Sequence, residues 1–164
     1  MDELILRPIG VIHTPFTRSA GTPIQSSVSS AAEGRVEVFP EFEPGLKDVA
    51  GFDRIWLLYY FDRAADPKLL VRPYLDTVDR GVFATRAPTR PNRIGMSPVR
   101  LLGVQGNALL VSELDILDGS PLLDIKPYLP AFDHFPVERM GWYRTLQPTG
   151  AVADGRFELE KKAP

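Results

Sequence analysis

Apolar and polar residues alternate in RVEVF, residues 35–39, and this period of two predicts a half-buried strand. Residues 5–13 predict another strand, running into Thr14-Pro15. IWLLYYF, residues 55–61, is continuously apolar, branched and aromatic, which predicts a strand buried on both faces at the centre of the core. Residues 99–104 and 108–114 flank Gly106-Asn107, the pairing expected of a tight hairpin. A turn at Asp118-Gly119 leads into one more strand, with residues 122–125 stopped by Pro127 and Pro130. Residues 44–49 can start a short helix, and residues 137–146, with Trp142 and Tyr143, form a short helix or an irregular packing segment. Between the first two strands lies SAGTPIQSSVSSAAEG, a loop of a length that is uncommon in a compact domain unless it covers a site. With no internal repeat and no rhythm of strands and long amphipathic helices, the expected class is mainly β, a barrel or a sandwich. Residues 1–146 make one domain, and residues 147–164 a polar tail in which the alternation of residues 156–160 allows an added edge strand.

A chain of 164 residues buries enough surface to fold without staples. Zero cysteines exclude disulfides, thiolate metal sites and a cysteine nucleophile, and His13 and His134 alone cannot build a histidine-rich metal centre. The expectation is therefore no metal. Without a long apolar run, and with an acidic start interrupted by Arg7 and Pro8, the chain reads as cytoplasmic, with no membrane partner. Charge adds one asymmetry. Arg80, Arg86, Arg90, Arg93 and Arg100 occur within one stretch that holds no acid and is kept irregular by Pro88, Pro91, Gly95 and Pro98. Set aside from the 19 basic residues, these five leave 14 against 21 acidic ones. A local cationic loop on an acidic body points to a local anion site.

The fork of an arginine matches two oxygens of a carboxylate or phosphate, and Thr89 and Asn92 add directed hydrogen bonds. In LDILDGSPLLDIKPYLP, Asp115, Asp118 and Asp124 are too sparse for a calcium loop. They read either as hairpin turns or as a turn that presents backbone groups and Asp118 to a nucleoside edge or a cationic group. Asp62 stands at the end of the buried strand, where core meets pocket. The chain has no P-loop, nucleophile elbow, dinucleotide fingerprint or HExxH.

The ordered set IGVIHTPF, PIQ, GFDRIWLLYYF, GVFATRAPTRPNRIGMSPV and LDILDGSPLLDIKPYLP resembles the TsaA-like, TrmO-type family over residues 5–133. The resemblance implies a small β-barrel methyltransferase that uses S-adenosyl-L-methionine and works as a homodimer, with the cofactor near the subunit interface. It also implies tRNA as a partner, the acceptor being N6 of threonylcarbamoyladenosine beside the anticodon. Carried over, the family's cofactor contacts fall on Pro23, Ile24, Gln25, Phe61, Asp62, Arg86, Met96, Leu117, Asp118, Gly119 and Ser120. Arg86 would clamp the methionyl carboxylate. Asp62 and Asp133 are the candidate general bases, and Arg90, Asn92, Arg93, Lys126 and Tyr128 the candidate acceptor-binding residues. Three positions depart from the family pattern: Ile24 for an arginine, Asp62 for a histidine and Arg93 for a proline. Two other readings stay open, a methyltransferase of the same barrel with a small-molecule or protein acceptor, and a non-catalytic anion- or RNA-binding module.

Overall fold

The computed structural model describes residues 4–28, 32–145 and 151–159. In chain order the strands are β1 (Gly10–His13), β2 (Gly34–Val38), β3 (Arg54–Tyr60), β4 (Leu70–Val71), β5 (Arg80–Gly81), β6 (Ile94–Gln105), β7 (Ala108–Ser112) and β8 (Ser120–Pro127), followed by a single helical turn α1 (Pro130–Asp133). Six of them close a barrel in the order β1-β2-β7-β6-β3-β8, while β4 and β5 pair apart from it. Every neighbouring pair is antiparallel. Closure removes free sheet edges, and the barrel is the mainly β architecture expected from the strand pattern.

The interior is filled by alternate residues of each strand, among them Ile12, Val36, Ile55, Leu57, Val99, Leu109, Val111 and Leu122, all fully buried. Leu114 and Ile116, on the segment that links β7 to β8, complete the same core. Burying one such aliphatic side chain contributes about 1.5–3 kcal/mol. Gly106, with φ 58°, makes the β6–β7 turn, and Asn107 donates its side-chain amide to the Val38 carbonyl (2.7 Å).

Several expectations are corrected in detail. β3 is buried on one face only: Ile55, Leu57 and Tyr59 point inward, while Trp56, Leu58 and Tyr60 are half-buried outside. A barrel has one interior, and the outer face is only partly covered, as where Trp56 meets Tyr128 with ring centroids 5.6 Å apart. The first strand starts at Gly10 rather than Ile5, because Pro8 offers no N–H to a ladder, and Leu4, Ile5 and Leu6 are exposed. Within residues 44–49, Pro44 to Leu46 end one short 3-10 turn, Pro40–Leu46, and Val49 starts another, Val49–Gly51. A further turn, Gly141–Thr145, carries Trp142 and Tyr143, and Leu146 lies outside the described residues.

Residues 151–159 run back over the body of the domain. They form isolated bridges, Pro23 with Val152 and Ala64 with Glu158, instead of a continuous strand. Phe157 is buried with Val71, Val82 and Ala87 in a second small core. Glu160, the end of the alternating stretch, lies outside the described residues.

Candidate functional site

A cavity of about 290 Å³ opens where β3 ends and β6 and β8 begin. Five stretches far apart in sequence, residues 19–25, 59–64, 85–97, 115–120 and 153–158, meet there together with Tyr74. β3 and the residues after it supply Tyr59, Phe61 and Asp62, with the Phe61 ring edge-on to Tyr59 at 5.2 Å. Gly95 makes that packing possible: a Cβ there would lie 2.5 Å from the Tyr59 ring and 2.9 Å from Phe61. Met96 follows on the same wall.

The long loop contributes Pro23, Ile24 and Gln25, held in place by residues 151–159. Ala153 donates its amide to the Thr22 carbonyl (2.8 Å), and Ile24 donates to that of Ala151 (3.2 Å). Phe157 and Glu158 join the cavity wall, and the Glu158 carboxylate accepts from the Ser19 hydroxyl (2.6 Å). Residues 151–159 are thus part of the site. Single bridges carry no periodicity, so nothing in the sequence signalled this role.

Leu117 and Ser120 line the cavity, whereas Asp118 and Gly119, between them in sequence, stand behind its wall. The Asp118 carboxylate accepts the Thr14 amide (3.1 Å) and lies 3.6 Å from His13 Nδ1. Gly119, with φ 78°, donates its amide to the Ile12 carbonyl (2.8 Å). The turn is fastened to β1 by these two residues, and its cavity side is left to Leu117 and Ser120.

The five arginines divide sharply. Arg80 pairs with Asp76 (2.8 Å) and lies over Trp142. Arg90 borders the cavity, but its Nη1 donates to the carbonyls of Val82 (3.1 Å), Thr85 (2.8 Å) and Ala87 (3.4 Å). Its principal visible role is to hold its own loop in shape. Arg93 is half-buried against Asp66 (3.6 Å) and takes φ 48°, a conformation closed to the proline the family pattern has there. Arg100 is exposed on β6. Arg86 lines the cavity, where it donates to Gln25 Oε1, and it has no carboxylate partner among the described residues.

The remaining sequence candidates do not reach the cavity of their own chain. Asn92 is exposed, and Lys126 pairs with Asp124 (2.8 Å). Tyr128 stacks on Trp56 near the start of β3, and Asp133 accepts the Leu129 amide (2.7 Å) at the start of α1.

Asp115 lines the cavity, although the sequence marked it only as one of three spaced acids. Its Oδ1 accepts the Ser97 hydroxyl (2.6 Å), and Ser97 Oγ lies 3.2 Å from the Tyr59 hydroxyl. Burial pushes the Asp115 carboxyl up from its ordinary 3.8 to about 6, an effect partly offset by Ser97, by the Ser26 and Asp115 amides and by the charge of Arg86. Burial also raises the Tyr59 phenol well above its usual range, so it remains a neutral donor. One signal for Asp115 existed: it stands between Leu114 and Ile116, both core residues, so its carboxylate is held close to the interior.

Comparison with known proteins decides the family. The model of the tRNA-methyltransferase O N-terminal domain matches residues 11–134. The chain belongs to this family. A probable S-adenosyl-L-methionine-binding protein of Pyrococcus abyssi is 56% identical over 153 residues, 92% of this chain and 83% of that protein. The tRNA (adenine(37)-N6)-methyltransferase of Mus musculus is 35% identical over 138 residues, 80% of this chain but 32% of that enzyme. A crystal structure of TrmO superposes with a TM-score of 0.73 at 40% identity, covering 84% of this chain and 63% of that one. The TrmO family includes proteins named as S-adenosylmethionine-dependent methyltransferases, and the barrel is the part this chain shares with the solved TrmO structure. No helix among the described residues is long and apolar enough to cross a membrane.

Proposed function

We propose that this domain transfers a methyl group from S-adenosyl-L-methionine to N6 of a modified adenosine next to the tRNA anticodon, threonylcarbamoyladenosine being the acceptor, in the cytoplasm. The observation that carries this reading is the cavity itself, which gathers Pro23, Ile24, Gln25, Phe61, Asp62, Arg86, Met96, Leu117 and Ser120 from four distant stretches. Its donor set suits the cofactor. Arg86 offers a guanidinium that has no carboxylate partner among the described residues, the apolar and aromatic wall accepts an adenine or a sulfonium face, and the turn at Asp118 and Gly119 shapes the floor from behind.

When bound, S-adenosylmethionine supplies a methyl group already activated on a sulfonium. The protein's task is to orient and to exclude water. Phe61 and Ile24 screen the cavity, and the strap of residues 151–159 closes one side of it. Asp62 lies on the cavity wall with its carboxylate 3.7 Å from Arg63 Nε, and of the two candidate bases it is the one in the cavity, where it would take the proton released from the acceptor nitrogen. Asp133 and the candidates Asn92, Lys126 and Tyr128 would act only from a neighbouring subunit or against a long tRNA substrate.

A homodimer is the assembly we propose. Its support is the set Phe132, Phe135, Val137 and Met140, four apolar side chains exposed within the nine residues 132–140, after β8, since concentrations of exposed apolar side chains mark interaction surfaces. Phe132→Asp should convert a dimer into a monomer in light scattering, and an unchanged mass would remove this surface from the interface.

The test of function is incubation with radiolabelled S-adenosylmethionine and tRNA that lacks the methyl group, followed by nucleoside mass spectrometry. Label in the N6-methylated nucleoside is expected. A second reading, a smaller acceptor, is favoured by the commitment of Arg80, Arg90 and Arg93 to partners in their own chain, which leaves little free cationic surface on the loop. It predicts cofactor turnover that tRNA does not stimulate.

A further inference from the structure

Two opposite charges face the same cavity and neither is neutralised. Arg86 gives one hydrogen bond to a neutral amide, Gln25. Asp115 has no Lys, Arg or His within salt-bridge reach among the described residues, and its visible partners are the Ser97 hydroxyl and backbone amides. A carboxylate has about four lone-pair positions, so acceptor capacity remains. An unpaired buried carboxylate is costly, and the cost is relieved when a cation arrives. The two side chains are close enough for the charge of Arg86 to act on Asp115, yet too far apart to form an ion pair with each other.

From this juxtaposition we infer that Asp115 and Arg86 together form a receptor for a zwitterionic α-amino acid head group, Asp115 taking the ammonium and Arg86 the carboxylate of the cofactor's methionyl end. This rests on the cofactor reading above and deepens it. Ser97 and Tyr59 act as positioning residues: the Ser97 hydroxyl holds one carboxylate oxygen, and the acceptor capacity left beyond it and the backbone amides takes the ligand. The same pairing sets a specificity rule. Ligands with an intact amino acid head group bind through both charges, and nucleosides that lack it gain nothing from either.

Calorimetric titration with three ligands separates the possibilities. S-adenosylmethionine carries both the ammonium and the sulfonium, S-adenosylhomocysteine carries the ammonium alone, and 5′-methylthioadenosine carries neither. Asp115→Asn should weaken the first two roughly 10- to 100-fold, as expected for losing a hydrogen bond between charged groups, and leave the third unchanged. Loss confined to S-adenosylmethionine would place Asp115 against the sulfonium and overturn the assignment. Equal loss for all three would make Asp115 merely structural and overturn it too.

Should the variant not fold, the wild-type protein gives the same answer through pH. Among the described residues, the charged and titratable groups that act on Asp115 are Arg86 and Tyr59, and neither changes charge between pH 5 and 8. Affinity for S-adenosylhomocysteine should therefore fall as the pH drops through about 6, with 5′-methylthioadenosine flat across the range. Parallel curves for the two would overturn the proposal. If wild-type protein binds none of the three ligands, the cofactor reading itself fails, an outcome distinct from either result with Asp115→Asn.

Discussion

The two ends of β3 carry similar residue types and do different work. At its start, Arg54 is paired with Glu113 (2.6 Å), Lys126 on the neighbouring strand is paired with Asp124 (2.8 Å), and Trp56 is covered by Tyr128. Charge meets charge and ring meets ring within the chain. At its finish, Phe61, Asp62 and the Tyr59–Ser97–Asp115 chain surround a cavity in which Arg86 and Asp115 have no ionic partner among the described residues. What distinguishes a site from a surface in this barrel is therefore the satisfaction of its polar groups, since both ends are equally rich in charged and aromatic residues.

The sharpest way to break the comparison is to remove one arginine from each end. Arg86→Ala should lower affinity for S-adenosylmethionine roughly 10- to 100-fold with little change in unfolding midpoint. Arg54→Ala should do the reverse, leaving affinity intact and costing about 1 kcal/mol in denaturant unfolding for a half-exposed ion pair. Equal effects of both on binding would erase the distinction between the ends.

Next in size is Gly95→Ala. The added methyl meets the Tyr59 and Phe61 rings, at 2.5 and 2.9 Å, so one ring must move. Overpacking of this kind costs about 1–3 kcal/mol, and displacement of Phe61 should also weaken cofactor binding. Thermal unfolding and titration of the same sample check both effects.

The smallest effect concerns pH. The Asp115 carboxyl titrates higher in the folded protein, at about 6, than its ordinary 3.8, so between these values the folded state holds a proton that the unfolded state has released. Its contribution to stability is full below about pH 4 and is lost as pH rises to about 6. The difference in stability between wild type and Asp115→Asn should change with pH in that window and be constant above it. A difference that does not vary with pH would mean the carboxyl is not buried as described.

Much of the barrel was legible in the sequence. The alternation in residues 35–39, the glycine-asparagine turn between β6 and β7 and the apolar run of β3 each report local geometry, which nearest neighbours dictate. Burial of β3 on both faces was the misreading, because an apolar run does not reveal which side of a closed sheet is inside. The site was legible in its backbone segments and not in its charges. Arg86 and Arg90 look alike in the sequence; they differ because Arg90 folds back onto three carbonyls of its own loop. Asp115 was hidden for the complementary reason, in that its value depends on Ser97 and Arg86, 18 residues and more away along the chain. The contribution of residues 151–159 rests on isolated long-range bridges, which leave no pattern in sequence.

The central claim is that the unpaired end of the barrel is a cofactor pocket, and calorimetric titration of the wild-type chain with S-adenosylmethionine tests it most directly. Saturable binding at one site per chain, weakened roughly 10- to 100-fold in Arg86→Ala and kept in Arg54→Ala, is the predicted result. Absence of binding to the folded wild-type chain would contradict the account, and the charges around the cavity would then need another ligand.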